Sequence, residues 1–164
     1  MKRDNYIFIK NKENYAILDD ILTASKEYCQ KNSISLNLVG NVELIGRNVF
    51  KTFNAVYQYN KIGMAYSNFY HYNDNGPIIT GYNTEHTQVD LKRIRSIRFA
   101  MASPVTYLTE HALKIKVDDL KDAKGQYLDL AYEQALFFPI LDITCGAAVK
   151  VDGFHLALKG LNNF

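Results

Sequence analysis

Apolar positions at helical spacing predict helices in four parts of the chain. Leu18, Ile21 and Leu22 share one face of a helix predicted over Tyr15–Lys31, because residues three and four apart lie on the same side. The same spacing predicts three further helices: Asn48–Tyr59, Thr87–Met101 and Leu120–Phe138. Asn48–Tyr59 is also rich in strand-forming residues, so a strand is the alternative there. Pro139 is predicted to end the last of these, because proline donates no N–H to the preceding turn.

Alternating apolar and polar positions predict strands elsewhere. Ile34–Ile45 alternates with period two, and Gly40-Asn41 indicates a bulge or a tight turn inside it. The short apolar segment Tyr6–Lys10 also reads as a strand. The segment Asn73–Pro77 is the clearest turn in the chain. It predicts a hairpin over Ile62–Tyr82.

The C-terminal part of the chain predicts a change from helix to strand. After Pro139, the apolar residues through Ile143 favour extended chain. Asp152-Gly153 predicts a second hairpin, over Ala147–Leu158, because glycine tolerates the positive φ of a tight primed turn. Val105–Val117 reads as a short helix passing into a strand.

These elements predict one α+β domain over residues 1–164, with a mostly antiparallel sheet and about three helices packed on one face. A mixed sheet is the alternative, because strand, helix and strand over Tyr6–Ile45 suit a right-handed crossover.

Composition narrows the function classes only slightly. A hydrophobic content of 48% and a net charge of +2 are those of an ordinary globular protein, and they demand neither nucleic acid nor membrane. The N-terminal residues lack the apolar core of a signal peptide, so we expect a cytoplasmic protein, or a virion protein if it is phage-encoded. Cys29 and Cys145 are expected to be reduced and mostly buried. Abundant Tyr and Lys are typical of an AT-rich genome.

Three clusters could carry chemistry. Lys92, Arg93, Arg95 and Arg98 form a basic helix that suits phosphates or a solvated face. Tyr82–His86 and Tyr107–His111 share the pattern Y-x-T-E-H, which supplies Glu and His for acid–base work. Aromatic side chains crowd the predicted Ile62–Tyr72 strand, and these candidates for a contact surface are Tyr66, Phe69, Tyr70 and Tyr72.

The sequence lacks the phosphate-loop, nucleophile-elbow and zinc-ligand motifs, so we predict no metal and no cofactor. The leading hypothesis is a non-enzymatic binding or assembly protein, an accessory or structural component of bacterial or phage type with a protein partner or a second copy. The alternative is an enzyme acting on nucleic acid or nucleotides, with the basic helix binding phosphates. Its candidate catalytic residues are Glu85, His86, Asp90, Glu110 and His111.

Overall fold

The computed structural model describes residues 17–29, 33–36, 42–59, 61–72, 79–81, 92–93, 105–128 and 132–159. The helices in these ranges are α1 (Ile17–Tyr28), α2 (Val49–Tyr59), α3 (Thr109–Ala112) and α4 (Tyr132–Ile143), with a 3-10 helix at Val117–Leu120. The strands are β1 (Ile34–Leu36), β2 (Val42–Leu44), β3 (Met64–Tyr72), β4 (Ile79–Gly81), β5 (Val105–Leu108) and β6 (Ala148–Lys159). None of the helices in the described ranges is both long and apolar enough to span a membrane.

The described strands form one sheet in the order β1-β5-β3-β6-β2, and β4 also pairs with β3. β3 pairs in parallel with β6, whereas the four other strand pairs are antiparallel. The α+β class with a mostly antiparallel sheet is therefore confirmed. The predicted hairpin of β3 and β4 and the helices α1 and α2 are present as well.

Alternate residues of β3 enter two cores. Met64 and Tyr66 pack in the larger core, beneath α1, α3 and α4. Ala65 points to the other face, where α2 contributes Val49 and Phe53 to a smaller core. The alternation of side chains along a strand explains this division.

The prediction that Pro139 ends a helix is wrong. Helix α4 continues to Ile143 with Pro139 inside it, and Ile140 and Leu141 are helical and buried. An internal proline destabilises a helix by about 3 kcal/mol, but burial of large apolar side chains on both sides of it offsets that cost. The helix also begins later than predicted, because a turn that includes Gly125, at φ 77°, precedes it.

The predicted hairpin at Asp152-Gly153 is also wrong, because β6 runs through both residues as one strand. From the Tyr66–Lys150 pair to the Asn68–Phe154 pair, β3 advances by two residues and β6 by four. The extra residues form an irregularity in the strand, and Gly153 supplies its positive φ of 100°.

The order predicted for Val105–Val117 is reversed, since strand β5 precedes helix α3. Other predictions lie outside the described residues: the Tyr6–Lys10 strand, the Gly40-Asn41 and Asn73–Pro77 turns and nearly all of the Thr87–Met101 helix.

Candidate functional site

One end of the sheet collects segments that are distant in sequence. The N–H of Gly63 donates to the carbonyl of Ala147 at 2.8 Å, and the N–H of Leu108 donates to the carbonyl of Gly63 at 3.1 Å. The N–H of Thr109 donates to the carbonyl of Ser33 at 2.9 Å. These bonds align the ends of β1, β3, β5 and β6, and we call this region the sheet end.

Hydroxyl groups hold α3 to the sheet end. The Oγ1 of Thr109, the first residue of α3, donates to the carbonyl of Ser33 at 3.1 Å and lies 2.7 Å from the Oγ of Ser35. Directly after α4, the hydroxyl of Thr144 donates to the carbonyl of Ile140 at 2.8 Å. A Cβ built on Gly63 would meet the methyl group of Thr144, so the end of α4 lies directly against the strand backbone.

Three large hydrophobic side chains lie exposed around the sheet end. Tyr28, at the end of α1, is 42% exposed, Leu113, after α3, is 39% exposed and Ile143, at the end of α4, is 38% exposed. Each belongs to a helix end within a few residues of the hydrogen bonds described above. Single exposed apolar residues are common on proteins, whereas several at one place indicate a contact surface. We call Tyr28, Leu113 and Ile143 the sheet-end hydrophobics.

His111 is the half-buried titratable side chain of the sheet end. Burial lowers the pKa of His111 below 6.5, nearby Lys114 lowers it further, and Glu110 opposes the shift. Its Nδ1 atom is buried and has no hydrogen-bond partner. The imidazole is therefore neutral near pH 7 and carries the lone pair that a base or a metal ligand needs.

His111 is not part of a metal-ligand cluster among the described residues. Within the described part of the chain, no group of three or more His, Cys, Asp or Glu residues is arranged to hold an ion. Glu110 is exposed beside it on α3. The other candidate catalytic residues lie outside the described residues: Glu85, His86 and Asp90.

Both cysteines lie close to the sheet end in sequence, and neither takes part in a disulfide among the described residues. Cys29 is half-buried, and the hydroxyl of Ser33 donates to its sulfur at 3.8 Å. Cys145 is exposed, which corrects the prediction of a core position. It follows α4 at a left-handed φ of 52°, where the chain turns away from the helix towards β6 and directs this side chain outwards.

The predicted aromatic surface loses one of its four members. Tyr66 is buried in the larger core at 1% exposure, so it cannot belong to a surface. Phe69 and Tyr70 are half-buried, and the Phe69 ring meets the His71 ring edge to face at 5.0 Å. Strand alternation places Phe69 and Tyr70 on opposite faces. The side chain of Tyr72 lies outside the described residues.

The basic helix is described only at Lys92 and Arg93, which are both exposed. Arg95 and Arg98 lie outside the described ranges, so the cluster of arginines stays a prediction.

Comparison of the chain with protein-family models, with curated proteins and with solved structures finds no match. The sheet end itself has no local sequence signal, because it is assembled from the ends of segments far apart in the chain. Tyr28 belongs to a stripe that predicts a helix face, and only tertiary packing decides which members of such a stripe stay exposed.

Proposed function

We propose that the chain is a non-enzymatic binding or assembly protein, an accessory or structural component of bacterial or phage type, that contacts a protein partner or a second copy through the sheet end. The sheet-end hydrophobics carry this proposal, because Tyr28 ends α1, Leu113 follows α3 and Ile143 ends α4, each exposed and within a few residues of the hydrogen bonds of the sheet end. We place the protein in the cytoplasm, or in the virion if it is phage-encoded.

The energetic argument is the burial of apolar surface. Covering such side chains contributes about 25 cal/mol for each Å² removed from water. A stable interface buries roughly 1,000 Å² or more, so these three side chains would form its apolar centre and not its whole extent. Glu110 and Lys114 are exposed on and beside α3 and would contribute to a polar rim.

A photo-crosslinking experiment tests this contact. A benzophenone amino acid placed at Leu113 or Ile143 in the full chain should give a discrete adduct in the cells that express it, because the partner is proposed to cover both positions. The matched control places the probe at Ala123, which is exposed in the turn before α4. Equal labelling from all three positions, or no adduct, would contradict the proposal.

Sedimentation velocity separates the two kinds of partner. If the partner is a second copy, the purified protein should associate with rising concentration, and the Leu113→Lys and Ile143→Lys variants should shift it to monomer. The Ala123→Lys variant adds the same charge and should associate like the unchanged protein. A monomer at all concentrations, together with a heterologous adduct, would assign the surface to a different protein.

His111 favours the alternative function, an enzyme acting on nucleic acid or nucleotides. Its neutral imidazole and buried Nδ1 suit a general base, with Glu110 next to it in sequence. In this alternative, Glu85, His86 and Asp90 complete the site and the arginines at 93, 95 and 98 bind phosphates. Hydrolysis of DNA, RNA or nucleoside triphosphates that His111→Asn abolishes and Lys124→Gln leaves unchanged would establish the enzyme and displace the binding proposal.

A further inference from the structure

Asp152 and Gly153 lie at the irregularity of β6, opposite Ser67 of β3. The register of these two strands skips residues 151 to 153 of β6, so Asp152 and Gly153 have no partner residue in β3. The register of β6 with β2 begins only at Leu156. Both residues are also exposed. Among the described strands, the ladder therefore does not hold this dipeptide as it holds the rest of β6.

An aspartate that is followed by glycine can rearrange without an enzyme. The backbone nitrogen of the glycine attacks the Cγ atom of the protonated aspartic acid and forms a C–N bond, while the amide hydrogen and the carboxyl OH leave together as water. The product is a five-membered succinimide, to which water then adds. Cleavage of its new C–N bond restores aspartate, whereas cleavage of the original peptide C–N bond gives isoaspartate, in which the backbone runs through the side chain.

The structure favours this reaction at Asp152. Glycine has no side chain to hinder attack by its nitrogen, and Gly153 adopts a φ of 100°, where other residues are strained. Because the register skips both residues, closing the ring does not require a strand pair to be broken. The exposure of Asp152 admits the water that opens the ring.

Asp122 provides a contrasting site in the same chain. It is exposed and is followed by the small residue Ala123, which is exposed as well. Its Oδ1 atom accepts hydrogen bonds from the N–H of Lys124 at 2.8 Å and from the N–H of Gln126 at 3.0 Å. These bonds fix the carboxylate within a turn, so ring closure at Asp122 would have to break them.

We propose that Asp152 is a site of spontaneous isomerisation to isoaspartate in the folded protein. The product inserts one extra backbone atom into β6 beside Val151, which is buried in the smaller core with Val49 and Phe53. The modification needs only water and no partner, so it does not depend on the contact proposed at the sheet end.

Peptide mapping of the purified full chain, incubated at physiological temperature in native buffer or in urea, tests the proposal. Electron-transfer fragmentation distinguishes isoaspartate from aspartate, and the succinimide is lighter by one water. Isoaspartate should accumulate at Asp152 at comparable rates in the two solutions, whereas Asp122 should react measurably only in urea. Global unfolding would not explain a comparable native rate, because it populates about 10⁻³ of the molecules or fewer. A native rate at Asp152 far below its rate in urea would overturn the proposal.

Two variants separate the effect of the structure from that of the dipeptide. Ala123→Gly creates a second Asp-Gly pair at Asp122, where the carboxylate is held. Isoaspartate should form there rapidly in urea but slowly in native buffer. Equal rates at Asp122 of this variant and at Asp152 in native buffer would show that the dipeptide alone decides reactivity, and would overturn the structural assignment.

Gly153→Asn tests the nitrogen that attacks. Asparagine is among the side chains that best tolerate positive φ, so this variant should keep the fold while its side chain hinders the approach of the nitrogen. Isoaspartate at Asp152 should then be largely lost. Unchanged accumulation at Asp152 in this variant would exclude the glycine junction as the cause and overturn the proposal.

Discussion

The two faces of the sheet are covered in different ways. On the first face, α1, α3 and α4 cover β3 and β5, and the large side chains Tyr66 and Tyr107 are fully buried. On the second face, the described core consists of four buried residues, and its apolar rim is only partly buried. That rim is formed by Leu44, Val56, Tyr57, Ile62 and Val149. The comparison indicates that packing on the first face contributes most to the stability of the fold. The second face, with its partly buried rim, can repack after a substitution.

A polar bond network occurs on the second face. The hydroxyl of Thr106 donates to the carbonyl of Ala65 at 3.1 Å. The hydroxyl of Tyr57 lies 3.1 Å from the Oγ1 of Thr106. Burial raises the pKa of Tyr57, so this phenol is protonated at neutral pH and can donate a hydrogen bond. The second face thus combines a small apolar core with hydrogen bonds that fix α2 against β3 and β5.

Matched truncations of phenylalanine give the largest expected effect. Phe137→Ala on the first face should lower the free energy of unfolding by about 4 kcal/mol, because its tightly packed surroundings leave a cavity. Phe53→Ala should cost about 3 kcal/mol, because the partly exposed rim around it can close over the space. Urea unfolding of both variants measures the difference. A greater loss for Phe53→Ala would reverse the ranking of the two faces.

The elements that the sequence predicts correctly are those specified by local patterns. Helix α1 follows from the stripe of Leu18 and Leu22, and the β3–β4 hairpin follows from a turn between two apolar runs. The predictions at Pro139 and Gly153 are wrong because tertiary packing overrides the local backbone preferences of these two residues. The helix continues through Pro139 because both sides of it are buried, and Gly153 permits an irregularity within a strand instead of a turn.

The candidate sites are harder to predict than the elements. Phe69 and Tyr66 belong to one aromatic segment, yet only their places in the sheet show that Tyr66 is buried. The sheet end depends on which segments meet in space.

Substitution of Gly63 tests how closely the end of α4 approaches the sheet. A Cβ at this position would meet the methyl of Thr144 and lie 2.8 Å from its Cβ. Gly63→Ala should therefore displace the end of α4 and lower the free energy of unfolding by about 2 kcal/mol. Thr144→Ser removes the methyl group but keeps the hydroxyl, so the double variant should recover part of this loss in urea unfolding. Additive losses in the double variant would show that the contact does not set the spacing.

The smallest expected effect is a pH dependence of the free energy of unfolding, which arises from His111 on α3. The pKa of His111 is lowered in the folded protein, first by burial and then by Lys114, while Glu110 acts in the opposite direction. The folded state therefore favours the neutral imidazole. Its contribution is fully present above the unfolded pKa of about 6.5 and is lost as the pH falls below that value.

The His111→Gln variant should remove this part of the pH dependence. The difference in the free energy of unfolding between the unchanged protein and the variant should decrease from pH 7.5 to pH 5, since only the unchanged protein must protonate a half-buried imidazole. Lys114→Gln should retain a weaker dependence, because burial still lowers the pKa of His111 after the lysine charge is removed. A difference that is constant with pH would mean that His111 does not couple protonation to the stability of the first face.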